Sequence, residues 1–155
     1  HFGWSYNNKA TPFMDKVKGY HDLSFYSHAF LHGPSDKHGL YSKANSEWLP
    51  NVETVVGQVF EINKIKAHCV YRINANAVHP VEGNVLTVPH TDHDFPHKNL
   101  LIYLTNVGGD TIVFDDAGKK HHFTPVEDDI VTFEGLHCMV PPKKGRRVVI
   151  VVTYL

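Results

Sequence analysis

A mainly β chain built around a sandwich or jelly-roll core, braced by one helix, is what this sequence predicts. Three observations carry that expectation. From about residue 66 the chain runs as short apolar and β-branched stretches of strand length. Glycine-rich turn signals punctuate those stretches: Glu82-Gly83-Asn84, Gly108-Gly109-Asp110, Ala117-Gly118, Glu134-Gly135 and Lys144-Gly145. A single stretch, in the first half, has clear helical spacing.

The elements follow in order. Residues 1–65 are rich in aromatics, with Phe2, Trp4, Tyr6, Phe13, Tyr20, Phe25, Tyr26, Phe30, Tyr41 and Trp48. Within them Val52, Val55, Val56, Val59 and Phe60 recur at helical spacing, and Pro50-Asn51 is a suitable start. Ser35-Asp36-Lys37-His38-Gly39 reads as loop. Strands are expected near 66–74, 84–89, 99–105, 111–114, 120–124, 129–133, 137–141 and 146–154. Eight short strands at this spacing suggest a sandwich or jelly roll. Residues 1–65 have no strand set of their own and make a poor independent core, so 1–155 is read as one domain. In it 1–65 supports and 66–155 forms the core.

Composition narrows the function. Lys and Arg number 15 against 16 Asp and Glu, so no global field recruits nucleic acid or an anionic membrane. No apolar run approaches a transmembrane helix. No leader-like segment is visible, and the expected location is cytoplasmic. The two cysteines, Cys69 and Cys138, suggest neither a disulfide framework nor a zinc site and are expected to be buried free thiols. Thirteen histidines are more than a single site can use, so most of them are surface or structural groups.

The chemistry centres on His90-Thr91-Asp92 and the later His137. Two histidines and a carboxylate are the ligand set of a facial triad, which holds non-haem Fe(II) and leaves positions open. On an extended segment, residues two apart point the same way, so His90 and Asp92 can share a metal. His137 opens a later strand and can come from the opposite sheet. Nearby His93, Asp94 and His97 offer other subsets, for zinc or for nothing. Downstream, Arg146 and Arg147 follow His137, on opposite faces of the final strand.

The order of motifs is more specific. His90-Thr91-Asp92 precedes the strand Asn99-Leu100-Leu101-Ile102-Tyr103-Leu104-Thr105-Asn106. The turn Gly108-Gly109-Asp110-Thr111 and then Phe114 follow, before His137 and the basic pair. This succession, over about residues 70–155, resembles the catalytic core of the prolyl 4-hydroxylase-like 2-oxoglutarate/Fe(II) dioxygenases. The stretch Arg72-Ile73-Asn74-Ala75-Asn76 and the aromatic first half look like compact phage and bacterial members. The resemblance implies a double-stranded β-helix (jelly roll) core with a supporting N-terminal helix and extra strands. It implies Fe(II) on His90, Asp92 and His137, with 2-oxoglutarate as cosubstrate and ascorbate as a candidate reductant. It selects Arg147 over Arg146 as the anchor of the far carboxylate, and matches Tyr103 to a tyrosine that assists there. Thr87 stands where many prolyl 4-hydroxylases have a tyrosine, and Asn76 is a further pocket candidate.

The implied reaction hydroxylates an unactivated C–H bond, with peptidyl proline in a peptide or protein as the first expectation, and releases succinate and CO2. Loops 32–48 and 76–84 and the segment 93–98 are expected to border the site. Phe95, Trp48 or Tyr41 would stack on a proline ring or a base equally well. Two alternatives stand beside this. One is an oxygenase of a nucleobase or free small molecule, helped by a local patch of Lys119, Lys120, Lys143 and Lys144. The other is a catalytically silent jelly-roll binding or structural module, or a cupin-like protein with a different metal.

Overall fold

The computed structural model describes residues 2–9, 19–35, 37, 39–83 and 85–155. Phe13, Asp36, His38 and Asn84 lie outside these, and with them part of the expected 35–39 loop, of the 82–84 turn and of the 84–89 strand. Ten strands and one helix form the described fold: β1 (Ser5–Asn7), β2 (Phe25–His32), β3 (Lys43–Ala44), α1 (Leu49–Ile62), β4 (Val70–Val78), β5 (Lys98–Tyr103), β6 (Thr111–Phe114), β7 (Lys120–Phe123), β8 (Ile130–Glu134), β9 (His137–Met139) and β10 (Arg147–Tyr154). It is a mainly β jelly roll. No described helix is long and apolar enough to cross a membrane.

The larger sheet runs β1-β2-β4-β10-β5-β8, with β3 paired to β2, and the smaller runs β7-β6-β9. All pairings between these strands are antiparallel. The extra strands of the first half therefore extend one sheet through the β2–β4 pairing. Six of the eight expected strands are found within a residue or two of their expected ends. The strand expected at 66–74 begins four residues late, because His68 and Cys69 are engaged with the carbonyl of Leu155 at the end of the chain.

The segment expected as a strand at 84–89 is not a regular strand. Thr87 and His90 make isolated bridges, to His21 and His137 respectively. Pro89 has no N–H to give a ladder, and the amide of Met139 donates to the Thr87 hydroxyl at 2.8 Å rather than to a carbonyl. The segment still lies along β9: Thr87 N–H donates to Met139 O at 2.9 Å, and His90 N–H to His137 O at 2.9 Å.

Strand alternation divides the larger sheet into two faces. Ile73, Ala75, Leu100, Ile102, Ile150, Val152 and Tyr154 form the outer face and pack with Leu49 and Val56 of α1. Leu101, Tyr103, Val149 and Val151 form the inner face, in one cluster with Val113 of the smaller sheet and Phe133. Each fully buried Leu or Val of this kind contributes roughly 1.5–3 kcal/mol over its exposed state.

The helix has Pro50 in its first turn and is closed by Asn63, whose Nδ2 donates to Val59 O at 2.9 Å. Val55, expected on the apolar stripe, is 45% exposed. It lies about 100° around the helix from the buried Val56, on the side turned to water. Cys69, expected to be buried, is exposed, whereas Cys138 is buried.

The Gly108-Gly109 turn has both residues at positive φ, +75° and +89°. Gly109 is confined by space as well: a Cβ there would lie 2.9 Å from Val140 O and 3.1 Å from Arg147 Cδ. Gly109→Ala should cost about 2 kcal/mol or more from backbone strain and forced displacement. Urea unfolding measures it, and a cost near zero would mean that the turn relaxes freely.

Candidate metal centre and adjoining cavity

The centre is assembled by backbone pairing. His90 and His137 exchange both backbone hydrogen bonds, at 2.9 and 3.0 Å, so their side chains emerge side by side with ring centroids 4.6 Å apart. The two histidines thus come from directly paired neighbouring stretches and not from opposite sheets, the arrangement that the sequence also allowed. Asp92 is likewise not on a strand but in a bend just past His90. The donor atoms of His90, Asp92 and His137 nevertheless all lie within 4.8 Å of one another, and this group could hold a metal ion.

Each imidazole is oriented by a local contact. His90 Nδ1–H donates to Val88 O at 3.1 Å, and His137 Nδ1–H to Gly135 O at 3.1 Å. A carbonyl only accepts, so the proton of each neutral ring is on Nδ1 and the Nε2 lone pair is left for a metal. Burial pushes the His137 pKa below its ordinary value, and His90 and Arg72 add to this, against Asp92 and the Gly135 contact. The neutral ring that ligation requires is therefore favoured. Burial alone would raise the Asp92 carboxyl, but Arg72, His137 and His90 hold it well below the usual carboxylate range. Its Oδ1 pairs with Arg72 Nη2. Its Oδ2 is buried without a hydrogen-bond partner, 3.5 Å from His137 Nε2. An orphaned anionic oxygen beside two imidazole lone pairs is a donor set suited to a divalent cation such as Fe(II).

His90 and His137 line a mostly apolar cavity of about 110 Å³, room for more than a few waters. Leu101, Val149 and Val151 of the inner face line it, together with Leu23, Ser24 and Phe25 from the first half of the chain. The first half of the chain therefore supplies part of the cavity wall as well as bracing the sheet. The polar lining includes Asn76, Thr87, Thr111 and Arg147.

Arg147 is 4% exposed. Its Nε donates to Gly109 O and its Nη2 to Thr111 Oγ1, both at 3.0 Å, and it lies 5.4 Å from the Tyr103 ring centroid. Among the described residues it has no carboxylate at ion-pair distance. Arg146 is exposed. Tyr103 is buried beside the cavity rather than on its wall, and its hydroxyl donates to Thr111 Oγ1 at 2.9 Å. Thr111 Oγ1 thus accepts two hydrogen bonds, which leaves its own O–H to be donated elsewhere. Thr87 lines the cavity with its hydroxyl already accepting from Met139 N–H, and Asn76 presents a buried Oδ1 without a partner.

Arg72 and Thr111 have no role that the sequence announces, and His93, a candidate for another ligand subset there, is engaged otherwise. A signal existed for Arg72. In β4 the polar Arg72, Asn74 and Asn76 alternate with Ile73, Ala75 and Ala77, which marks a polar inward face. His93 Nε2 and Thr153 Oγ1 share a hydrogen bond of 2.8 Å. Of the proposed stacking residues, Phe95 is occupied against His93, with centroids 4.5 Å apart. Trp48 caps α1, on the outer face of the sheet, and Tyr41 projects to solvent. Segment 93–97 lines a separate open groove with Thr91, Asp116 and Leu136.

No family model matches the sequence, and no curated protein matches it. Solved structures share its fold at low identity. A 2OG-Fe(II) oxygenase family oxidoreductase from Burkholderia pseudomallei matches with TM-score 0.74 at 12% identity, over 99% of this chain and 73% of its own. A Pseudomonas putida prolyl-4-hydroxylase matches with TM-score 0.54 at 14% identity, over 99% and 92%. A Trichoplax adhaerens prolyl hydroxylase, solved with a hypoxia inducible factor peptide fragment, gives 0.58 at 15%, over 97% and 70%. The chain has the jelly-roll fold of these oxygenases.

The His93 environment has a pH consequence. Burial, with Arg72 and His97, lowers its pKa from 6.5 to about 4. Between those values the unfolded chain binds a proton that the folded protein does not, so the metal-free fold loses stability as pH falls through that window. Urea unfolding at both ends of the window should show the loss, and His93→Gln should reduce it. An equal loss in both proteins would remove His93 as the cause.

Proposed function

We propose that this protein is a 2-oxoglutarate- and Fe(II)-dependent dioxygenase that hydroxylates an unactivated C–H bond. The observation that carries this reading is the buried Arg147, which has no carboxylate at ion-pair distance among the described residues, Asp110 acting on it only from farther away, and which lines the same cavity as His90 and His137. A buried cation without a directly paired counter-charge is costly. A dicarboxylate would satisfy it at one end while chelating a metal at the other.

His90, Asp92 and His137 would hold the Fe(II) through two Nε2 atoms and Asp92 Oδ2. When bound, the iron with 2-oxoglutarate supplies the oxidising chemistry, with release of succinate and CO2. The chain's own part is binding, orientation and exclusion of water. Arg147 offers its planar fork to the distal carboxylate, and Thr111 offers its free O–H. Tyr103 fixes Thr111 and supports Arg147 from behind. Asn76 and Thr87 border the bound molecule, and the apolar wall of Leu23, Phe25, Leu101 and Val151 keeps bulk water out. Peptidyl proline is the proposed substrate; the support is the sequence resemblance and the shared fold, one structure of which was solved with a peptide.

Anaerobic titration with Fe(II) and 2-oxoglutarate should produce a saturable visible charge-transfer band that is lost in His137→Ala. Arg147→Gln should retain Fe(II) but need at least about tenfold more 2-oxoglutarate for the same band, as befits a lost charge-assisted pair. Iron bound to the folded protein with no band would reject the reading. For the substrate, proline-containing peptides incubated with the loaded enzyme should gain one oxygen atom by mass, coupled to succinate. Succinate formed with no peptide oxidised across a broad peptide set would point to a free small molecule.

A further inference from the structure

Arg72 has a task that rests on the iron-binding reading above. It leaves β4 on the inner face, in the same register row as Thr153 of β10 and Asn99 of β5. From there its Nη2 donates to Asp92 Oδ1. The two side chains are 22% and 11% exposed, so the pair is largely withdrawn from water. Charge-assisted hydrogen bonds of this kind are among the stronger ones.

The root of the side chain is confined by its neighbours, while its Nε is buried without a hydrogen-bond partner, so that Asp92 is the one acceptor shown for the guanidinium among the described residues. Gly33 is backed against the base of the Arg72 side chain, so that a Cβ at that position would lie 3.4 Å from Arg72 Cβ and 3.2 Å from His93 Cε1. His93 is in turn tied to Thr153 at 2.8 Å. The outcome is a division of labour on one carboxylate. Oδ1 is taken by Arg72, while Oδ2 is buried, without a hydrogen-bond partner, and faces His137 Nε2.

We propose that Arg72 is a positioning residue that reserves Asp92 Oδ1, so that Asp92 offers a metal one oxygen only. A carboxylate with both oxygens free can bind a cation through either or both. Taking a second position would use one of the places that a chelating 2-oxo acid and O2 must share in a facial triad. Arg72 therefore preserves vacant coordination positions, and it does so at an electrostatic cost, because its positive charge opposes the incoming cation.

That cost makes the role separable from mere structural support. The test uses the full chain without oxygen and two readouts: Mn(II) affinity, from the spin-resonance signal of free Mn(II), and the 2-oxoglutarate concentration giving half of the Fe(II) charge-transfer band. In Arg72→Gln, Mn(II) should bind as tightly as in the wild type or several-fold tighter, while the 2-oxoglutarate requirement rises roughly tenfold. Arg72→Lys keeps the charge but not the planar fork and should fall between. If Arg72→Gln does not fold, as judged by its thermal transition, Arg72→Lys carries the test: unchanged Mn(II) affinity with a raised 2-oxoglutarate requirement supports the proposal. Parallel weakening of metal and 2-oxoglutarate would overturn it, and so would an unchanged 2-oxoglutarate requirement. If the wild type itself shows no band, the iron and 2-oxoglutarate reading fails first, which is distinguishable from a wild-type band that Arg72 variants leave untouched.

Discussion

The period-two alternation of the last strand, β10, is the constraint on which the rest of the structure depends. β10 lies between β4 and β5 and pairs with both along its length. One set of its side chains, Ile150, Val152 and Tyr154, packs beneath α1. The other set, Arg147, Val149, Val151 and Thr153, faces inward. A slip of one residue would put Arg146 inside, leave Arg147 in water and turn two layers of valine to the wrong face. The position of the buried cation and the integrity of the core are therefore one requirement.

The interior is more polar than folding alone would select. Asn74 and Asn76 each present a buried Oδ1 without a protein partner, and Asn99, fully buried, leaves both amide atoms unmatched. Such groups lower stability unless water or a ligand satisfies them. Their rows in the sheet adjoin the cavity and the Arg72–Asp92 pair. The arrangement is that of a site organised in advance of its ligand, with rigid strands holding the groups and the apolar outer face supplying the compensating stability.

Much of this was legible beforehand. The helix and six of the eight strands could be read from spacing, because those signals are local, and the order of motifs pointed to His90, Asp92 and His137, whose donor atoms the fold brings within 4.8 Å of one another. Other features were not. Pro89 and the Thr87 hydroxyl broke the expected 84–89 strand, an outcome decided by the partner strand β9. Val55 was misassigned because the stripe on α1 is narrower than a count of valines suggests. Nothing local in the stretch around Arg72 announces that its reach ends at Asp92. Thr111 could be seen in its turn, but its position between Tyr103 and Arg147 could not.

By itself the sequence determined what depends on short-range periodicity: which faces are apolar, where turns fall, and that arginines at 146 and 147 must lie on opposite sides of a strand. Tertiary structure alone decided which distant groups meet. It set His90 beside His137 through an isolated antiparallel bridge, gave Oδ1 of Asp92 to Arg72, and brought residues 23–25 to the cavity wall. The physical reason is that these meetings are set by pairing between strands far apart in the chain, whereas periodicity constrains only neighbours.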